Sequence, residues 1–175
     1  MIEVKNLSKQ FKAPTEEKGL FGPKKKAFWA VKELDFQIKK GSVASILGPN
    51  GCGKTTTLRM IAGMLTPSRG TVFVDSVDVR KDKQTVKSKI GYMTNNTSLY
   101  DRLSVIETVK FFAELNQISE EIYKPRADKL FEQLDMHKYL NKRVADLSTG
   151  MKQKTSIVRT LIHDPELIVL DEPTT

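Results

Sequence analysis

The sequence predicts an α/β fold, in which a parallel-sheet core carries an N-terminal antiparallel β subdomain and a helical insertion. Short apolar runs at residues 43–47 and 167–170 are typical of buried parallel strands. Residues 48–53 form a glycine-rich segment that follows the first run and precedes a helical pattern at residues 56–63. Residues 95–150 then hold helical patterns and helix-start signals, which places the helices between the two parts of the core.

The composition is that of an ordinary globular domain. Hydrophobic residues make up 39% and charged residues 29% of the 175-residue chain, and no apolar stretch approaches the ~20 residues of a membrane span. We expect one domain, with the β subdomain and the core that contains the glycine-rich segment at 1–94, the helical subdomain at 95–150 and the return to the core at 151–175. The single cysteine, Cys52, excludes an internal disulfide and favours a reducing compartment.

The net charge of +8 indicates a basic surface, which could attract nucleic acid, anionic lipid or an anionic ligand. No basic stretch is interleaved with aromatic residues in the way that base stacking requires, so nucleic acid is not expected as a partner. The excess lysines are expected to face solvent, and proximity to lipid is the alternative.

The first half of the chain reads mainly as strands. Alternating or apolar runs predict them at residues 2–7, 28–31, 34–38, 71–75 and 90–93. Residues 12–26 differ, because they hold five lysines and two glutamates together with glycines and prolines. This segment is expected to be a flexible loop or a hairpin tip, with its lysines in solvent or near anionic lipid headgroups.

Helices are predicted after residue 103. Ser104 and Glu107 have the spacing of a capping box, in which a hydroxyl and a carboxylate each bind a free backbone N–H group. They open a helix that continues through Leu115. A second helix is expected to start at Ser119, and a third spans residues 150–162.

Residues 48–56 carry the strongest functional signal, because they fit the pattern G-x-x-x-x-G-K-[ST]. Gly48, Gly51 and Gly53 allow a tight turn and bring N–H groups against phosphate oxygens. Lys54 can reach the β- and γ-phosphates, and the Thr55 hydroxyl can bind Mg²⁺. The alternative is a glycine-rich turn before a helix.

The other positions of this loop are assigned to the same phosphate site, namely Asn50, Cys52 and Thr56. Cys52 is expected to react with thiol reagents and to be protected by a bound nucleotide. The alternative is an inert residue, since the position requires only a compact side chain.

The second signal is the apolar run at residues 167–170, which is followed by Asp171 and Glu172. A carboxylate at the carboxyl end of a parallel strand lies where ligands bind in open α/β sheets. Asp171 is expected to hold Mg²⁺, and Glu172 is a candidate general base or water-positioning group. Alternatively, both are ordinary polar residues at the end of a strand.

The third signal is residues 147–153, Leu-Ser-Thr-Gly-Met-Lys-Gln. Ser148 has the place of a helix N-cap, and Gly150 allows close approach of another backbone. A helix N-terminus of this kind is a second candidate anion site. From the residues alone, simple capping is the alternative.

In this order the three runs resemble the Walker A (48–56), signature (147–153) and Walker B (167–172) motifs of the ATP-binding subunits of ABC transporters. Phe11 matches the aromatic residue that stacks on adenine in that family, and Asn95 falls at the position of its Q-loop glutamine. The resemblance runs from the first residue to the last. The form of the signature is similar to that of systems that export sodium ions or drugs.

The resemblance implies a P-loop NTPase core that binds ATP and Mg²⁺. Lys54, Asn95 and Glu172 would act in hydrolysis, and the metal would be held by Thr55, Asp171 and Asn95. It also implies a head-to-tail dimer, in which ATP lies between one subunit's Walker A motif and the partner's Ser148 and Gly150. The dimer would work with a transmembrane permease, through which it would contact the cytoplasmic face of the cell membrane.

Three features depart from the family pattern. Asn95 is one methylene shorter than glutamine, and Thr149 replaces the first glycine of the signature. The sequence stops at Thr175, before the D-loop and H-loop of the family, so weak or absent turnover is expected of the isolated chain. The alternatives are a nucleotide-binding fragment without turnover, a soluble non-transport ABC ATPase, and a P-loop kinase or GTPase.

Overall fold

The computed structural model describes residues 1–19, 22–94 and 99–172, with the side chains of residues 14–25 excepted. The chain divides into two compact units, Met1–Lys87 and Ser88–Thr175, and each is described by itself.

The first unit is built on an antiparallel sheet. Its elements are β1 (Ile2–Gly19), β2 (Gly22–Ile38), α1 (Lys54–Ile61), β3 (Arg69–Val74), β4 (Val77–Asp78) and α2 (Lys83–Ser88), the last of which ends just beyond it. The strand order is β2-β1-β3-β4. At the start of β1 alternate residues face the core: Ile2 pairs with Val74 and Val4 with Val72, and all four side chains are buried.

The hairpin of β1 and β2 is longer than the sequence indicated. The predicted strands at residues 28–31 and 34–38 are one strand, and pairing continues outward through Lys12–Ala27 to Gly19–Gly22. Residues 12–19 and 22–26 are therefore not a loop, although the prediction of a hairpin is confirmed. Backbone ladder bonds form between N–H and C=O groups that every residue type except proline provides, and register shifts absorb the irregular positions.

The prediction of a buried strand at residues 43–47 is wrong. These residues belong to neither sheet, and the side chains of Val43 and Leu47 are 98% and 90% exposed. An apolar run indicates a tendency to be buried, but a strand also requires a neighbouring strand to satisfy its backbone groups. In the described structure the antiparallel sheet reaches its edge at β2, and residues 43–47 leave that edge without pairing.

The second unit combines helices with a parallel pair of strands. Its elements are β5 (Ile90–Thr94), α3 (Val105–Leu115), α4 (Glu120–Gln133), short 3₁₀ helices at His137–Tyr139 and Val144–Asp146, α5 (Thr149–Leu161) and β6 (Leu167–Asp171). The core is formed where α3, α4 and α5 meet. Its buried side chains include Val105, Val109, Tyr123, Ala127, Phe131, Val158 and Ile162.

The start of α3 confirms the predicted capping box. The Ser104 hydroxyl accepts a hydrogen bond from the Glu107 amide at 3.3 Å, and the Glu107 carboxylate accepts one from the Ser104 amide at 2.8 Å. The Ser104 hydroxyl also donates to this carboxylate at 2.8 Å, and the two bonds that Ser104 donates lower the pKa of Glu107. Ser119 is also an N-cap, as predicted, but its side chain makes no capping bond.

Strand β6 pairs in parallel with β5, yet only one of its faces is buried. Val169 and Asp171 point inward, whereas Ile168 and Leu170 on the other face are about half exposed. The expectation of a strand buried on both faces is therefore wrong for the described structure. A continuous apolar run does not reveal that only one layer packs on the strand.

A histidine joins the end of α5 to the start of β5. His163 Nε2 lies 3.3 Å from the Ile90 carbonyl oxygen, while its buried Nδ1 has no hydrogen-bond partner among the described residues. Arg126 donates to the Ile162 carbonyl at 2.8 Å and pairs with Asp164 at 3.5 Å. Burial lowers the pKa of His163 and Arg126 lowers it further, against the opposite effects of the Ile90 hydrogen bond and of Asp164.

No helix of the described residues has both the length and the apolar character that crossing a bilayer requires.

Replacing Ser104 with alanine should lower the free energy of unfolding by about 1 kcal/mol, because an N-terminal N–H group of α3 loses its acceptor. Urea unfolding followed by circular dichroism measures the change. Ser119→Ala is the matched control, since that N-cap makes no side-chain bond, and it should cost clearly less. Equal losses in the two variants would contradict the assignment.

Stability should fall as pH is lowered through the ordinary histidine pKa of about 6.5, because unfolded His163 binds a proton that the folded state resists. The contribution of neutral His163 to the free energy of unfolding is fully present above that pH. It is lost as the pH falls from there toward the lowered pKa of His163 in the folded state. His163→Gln should flatten the dependence in urea midpoints measured between pH 8 and pH 5. His137→Gln, on an exposed histidine, should leave it in place, and an unchanged slope in His163→Gln would refute the prediction.

Candidate functional site

The glycine-rich loop ends in a turn that glycine alone accommodates. Gly51 and Gly53 have φ angles of 81° and 97°, in the left-handed region that residues with a Cβ seldom adopt. A Cβ added to Gly53 would also lie 2.3 Å from the Ala30 carbonyl oxygen on β2. The turn before α1 is therefore pressed directly against the hairpin.

Helix α1 begins at the end of this turn with its N-terminus open. Gly53 is the N-cap and provides no side-chain acceptor, and the first turn contains no acidic residue. Thr55 and Thr56 follow Lys54 in that turn. Backbone N–H groups at a helix start, together with the positive end of the helix dipole, form a favourable place for an anion.

Lys54 folds back over the loop. Its ammonium group donates hydrogen bonds to the carbonyl oxygens of Gly48 at 2.9 Å and Pro49 at 3.1 Å. The positive charge is thereby held inside the curve of the loop, on the same segment as the open helix N-terminus. An anion that enters the loop would meet a cation that is already positioned.

Cys52 lies across the loop from its first glycine. A Cβ added to Gly48 would be 2.6 Å from the Cys52 sulfur, and the Cys52 amide donates to the Pro49 carbonyl at 3.3 Å. Asn50 lies between them at the exposed tip. The thiol itself is exposed and free, so reagents can reach it.

Phe11 lies on the hairpin in the same unit as the loop. Its ring is 6.0 Å from that of Phe28, and the Lys9 ammonium is 5.2 Å from its centroid. Phe28 is two residues from Ala30, which contacts Gly53. Strand β2 therefore connects the predicted adenine-stacking residue with the predicted phosphate loop.

Asp171 ends β6 as predicted and is largely buried, with 7% of its surface exposed. Its Oδ2 atom accepts a hydrogen bond from the Tyr92 hydroxyl at 2.9 Å. Glu172 follows at the surface with a φ angle of 51°, an unfavourable conformation for this residue type. The turn therefore separates a buried carboxylate from an exposed one.

Tyr92 is the residue that the sequence reasoning missed. It lies on β5, which pairs in parallel with β6, so its side chain approaches the end of the neighbouring strand. A tyrosine near the end of the strand predicted at residues 90–93 was the signal that could have indicated this hydrogen bond to Asp171. Its hydroxyl fixes one carboxylate oxygen of that residue.

Ser148 and Gly150 occupy the start of α5. The Ser148 hydroxyl accepts a hydrogen bond from the Met151 amide at 3.3 Å, which confirms its position as an N-cap. A Cβ added to Gly150 would meet no atom within 4 Å, so no contact within the described structure requires glycine there. Asn95, the remaining predicted site residue, lies outside the described residues.

The predicted residues thus fall into two groups. Phe11 and the loop belong to the first unit, and Ser148, Gly150, Asp171 and Glu172 to the second. Within the described ranges no three His, Cys, Asp or Glu residues come together as a metal site.

The family model described as ABC transporter matches residues 31–175, which is most of the chain. The chain is 45% identical over 156 residues to the ABC transporter ATP-binding protein NatA of Bacillus subtilis (strain 168), covering 89% of this chain and 63% of that protein. It is 34% identical over 145 residues to the Nod factor export ATP-binding protein I of Cupriavidus pinatubonensis (strain JMP 134 / LMG 1197), covering 83% and 45%. The chain therefore spans less than two thirds of either relative.

Among solved structures, the chain resembles a dimeric post-hydrolysis state of the ATP-binding cassette MJ0796 bound to ADP and Pi. The TM-score is 0.81 at 28% sequence identity, and the match covers 99% of this chain and 75% of that one. This likeness confirms the predicted α/β fold class with its antiparallel and parallel sheets.

Cys52 should be labelled by N-ethylmaleimide, and saturating Mg-ATP should slow the reaction, because a nucleotide in the loop would cover the thiol. Mass spectrometry over a time course measures the rate on the single cysteine of the chain. A Lys54→Ala variant, which lacks the loop cation, should lose the protection. Equal rates with and without nucleotide in the original chain would contradict the assignment.

Proposed function

The chain belongs to the ABC transporter family of ATP-binding domains, and on that premise we propose that it binds and hydrolyses ATP to power a partner membrane permease. One observation carries the proposal. The loop at residues 48–53 combines left-handed glycines, an ammonium group held in its curve and an open helix N-terminus. These are the features that the phosphates of a nucleotide require.

ATP is proposed to bind with its phosphates in this loop. Backbone N–H groups near Gly51 and Gly53 and the Lys54 ammonium would donate charge-assisted hydrogen bonds, which are stronger than neutral ones. The adenine would stack on Phe11, which β2 connects to the loop. Asn50, Cys52 and Thr56 complete the loop and the first turn of α1.

The oxygen donors of the predicted metal ligands suit Mg²⁺. Thr55 offers a hydroxyl, Asp171 a carboxylate and Asn95 an amide oxygen, and phosphate oxygens supply further ligands in sites of this type. The bound ion would neutralise charge on the phosphates. Tyr92 would orient the Asp171 carboxylate through the hydrogen bond to Oδ2.

In hydrolysis a water oxygen would attack the γ-phosphorus, and the bond between this phosphorus and the bridging oxygen would break. The products would be ADP and inorganic phosphate. Glu172 is proposed to orient this water and accept its proton, which its exposed position after β6 favours. Lys54 would stabilise charge on the transferred phosphoryl group. Asn95 is proposed to contact the metal or the water.

A second ATP-binding subunit is proposed to complete the site from the opposite side. Gly150 lies in open space at the start of α5, next to a serine that already caps the helix, so another molecule could approach this backbone. The related cassette whose structure resembles this chain is described as a dimer. The head-to-tail arrangement, with Ser148 and Gly150 facing the partner's nucleotide, is part of the proposal.

The proposed location of the chain is the cytoplasmic face of the cell membrane, where it would contact the bilayer only through the permease. Export is the proposed direction, supported by the form of the signature at residues 147–153 and by the name of the Nod factor export relative. Nucleic acid is not part of the proposed function. The substrate would be selected by the permease, which is a different chain.

Mg-ATP at about 100 times its Kd should stabilise the chain by roughly 2.7 kcal/mol. For a domain of this size the melting temperature should rise by about 5–10 °C. Lys54→Ala should abolish most of this shift, because the ammonium inside the loop is lost. Lys129→Ala removes an exposed lysine from α4 and should leave the shift unchanged.

A cooperative melt without any shift in the original chain would refute nucleotide binding at this loop. An equal shift in Lys54→Ala would place the nucleotide elsewhere. Turnover is measured separately, by phosphate release in the presence of Mg-ATP, with Glu172→Gln as the variant. Binding without release would support a nucleotide-binding chain that does not hydrolyse ATP by itself.

A further inference from the structure

We infer that Phe28, together with Phe11, forms a two-ring platform that favours purine over pyrimidine bases in the bound nucleotide. The inference rests on the proposed function, because it assumes that a nucleoside triphosphate binds at the loop. It adds Phe28 as a residue that determines base specificity.

The two phenylalanines are directly opposite each other in the hairpin. Phe11 pairs with Phe28 in the register of β1 and β2, so both side chains leave the same face. Their ring centroids are 6.0 Å apart and their planes are inclined by 34°. Phe28 is 48% exposed, so the pair offers an extended aromatic surface rather than a closed core contact.

Lys9 holds the first ring of this platform in place. Its ammonium lies 5.2 Å from the Phe11 centroid and donates a hydrogen bond to the Thr66 carbonyl at 2.8 Å. One side of Phe11 is therefore covered by a fixed cation. A base would stack on the other side of the ring.

Strand β2 sets the distance between the platform and the phosphate loop. Lys9 pairs with Val31, and the next residue, Gln10, pairs with Trp29. Strand β2 therefore contains one extra residue at this point. That extra residue is Ala30, whose carbonyl oxygen lies against Gly53. Phe28 is two residues further along, or about 6–7 Å of extended strand, so a nucleotide lying along β2 would bring its base to the platform.

The number of rings in the base then determines how much of the platform is used. A purine has two fused rings and can cover both phenyl groups, whereas a pyrimidine has one ring and covers Phe11 alone. Aromatic pairs contribute beyond the area that they bury, so loss of the second ring should weaken purine binding by about two- to tenfold. Trp29 lies on the opposite face of the hairpin, where Arg69 stacks on it, and should not take part.

The test is isothermal titration calorimetry of the chain with Mg²⁺ and four probes: ATP, GTP, CTP and inorganic tripolyphosphate. Phe28→Ala should raise the Kd for ATP and GTP about two- to tenfold and leave that for CTP and tripolyphosphate unchanged. Phe28→Tyr keeps an aromatic ring and should retain purine affinity. Phe28→Leu keeps an apolar side chain without a ring and should behave as Phe28→Ala does, which keeps the test decisive if the alanine variant fails to fold.

Trp29→Ala is the matched control and should leave the ratio of the ATP and CTP Kd values as it is in the original chain. Equal weakening of all four probes by Phe28→Ala or Phe28→Leu would show a structural role and overturn the inference. An unchanged ratio in both variants would also overturn it. Failure of the original chain to bind either ATP or tripolyphosphate would instead refute the proposed function, and the inference with it.

Discussion

The close contact between Gly53 and the Ala30 carbonyl oxygen is the constraint on which the first unit depends. A side chain at Gly53 would push α1 away from the hairpin. The contact sets where α1 starts, and so where Lys54 must turn to reach the carbonyl oxygens of Gly48 and Pro49. It also fixes the loop relative to β2, the strand that carries Phe28. The proposed phosphate loop and the aromatic surface are therefore positioned by one backbone contact.

The second unit depends on parallel pairing between β5 and β6. This pairing places Tyr92 beside Asp171 and gives a buried carboxylate a hydrogen-bond donor, without which its burial would be costly. Helices α3, α4 and α5 supply the hydrophobic core of this unit. Ser148 caps α5 at the exposed end of that helix, and His163 meets the Ile90 carbonyl near its other end. Structural and candidate functional residues thus share the same few elements.

Local signals were sufficient where local chemistry decides the structure. The capping box at Ser104 and Glu107 and the N-cap at Ser148 involve only neighbours in sequence, and both are present. The errors concern partners that are distant in sequence. Residues 43–47 are apolar but unpaired, β6 is covered on one face only, and the lysine-rich segment after Phe11 continues a ladder. In each case the outcome depends on what lies beside the segment, which its own composition does not contain.

The sequence by itself determined the family and the fold class, and it located the glycine-rich loop that is proposed to bind phosphate, because the spacing of Gly48, Gly53 and Lys54 suits the backbone turn and phosphate chemistry. Only the tertiary structure decided which residues surround these groups. It brought Ala30 against Gly53, Phe28 beside Phe11 and Tyr92 onto Asp171, pairs separated by 17 to 79 positions in the chain. The physical reason is that such contacts arise from strand register and packing, which are properties of the folded chain as a whole.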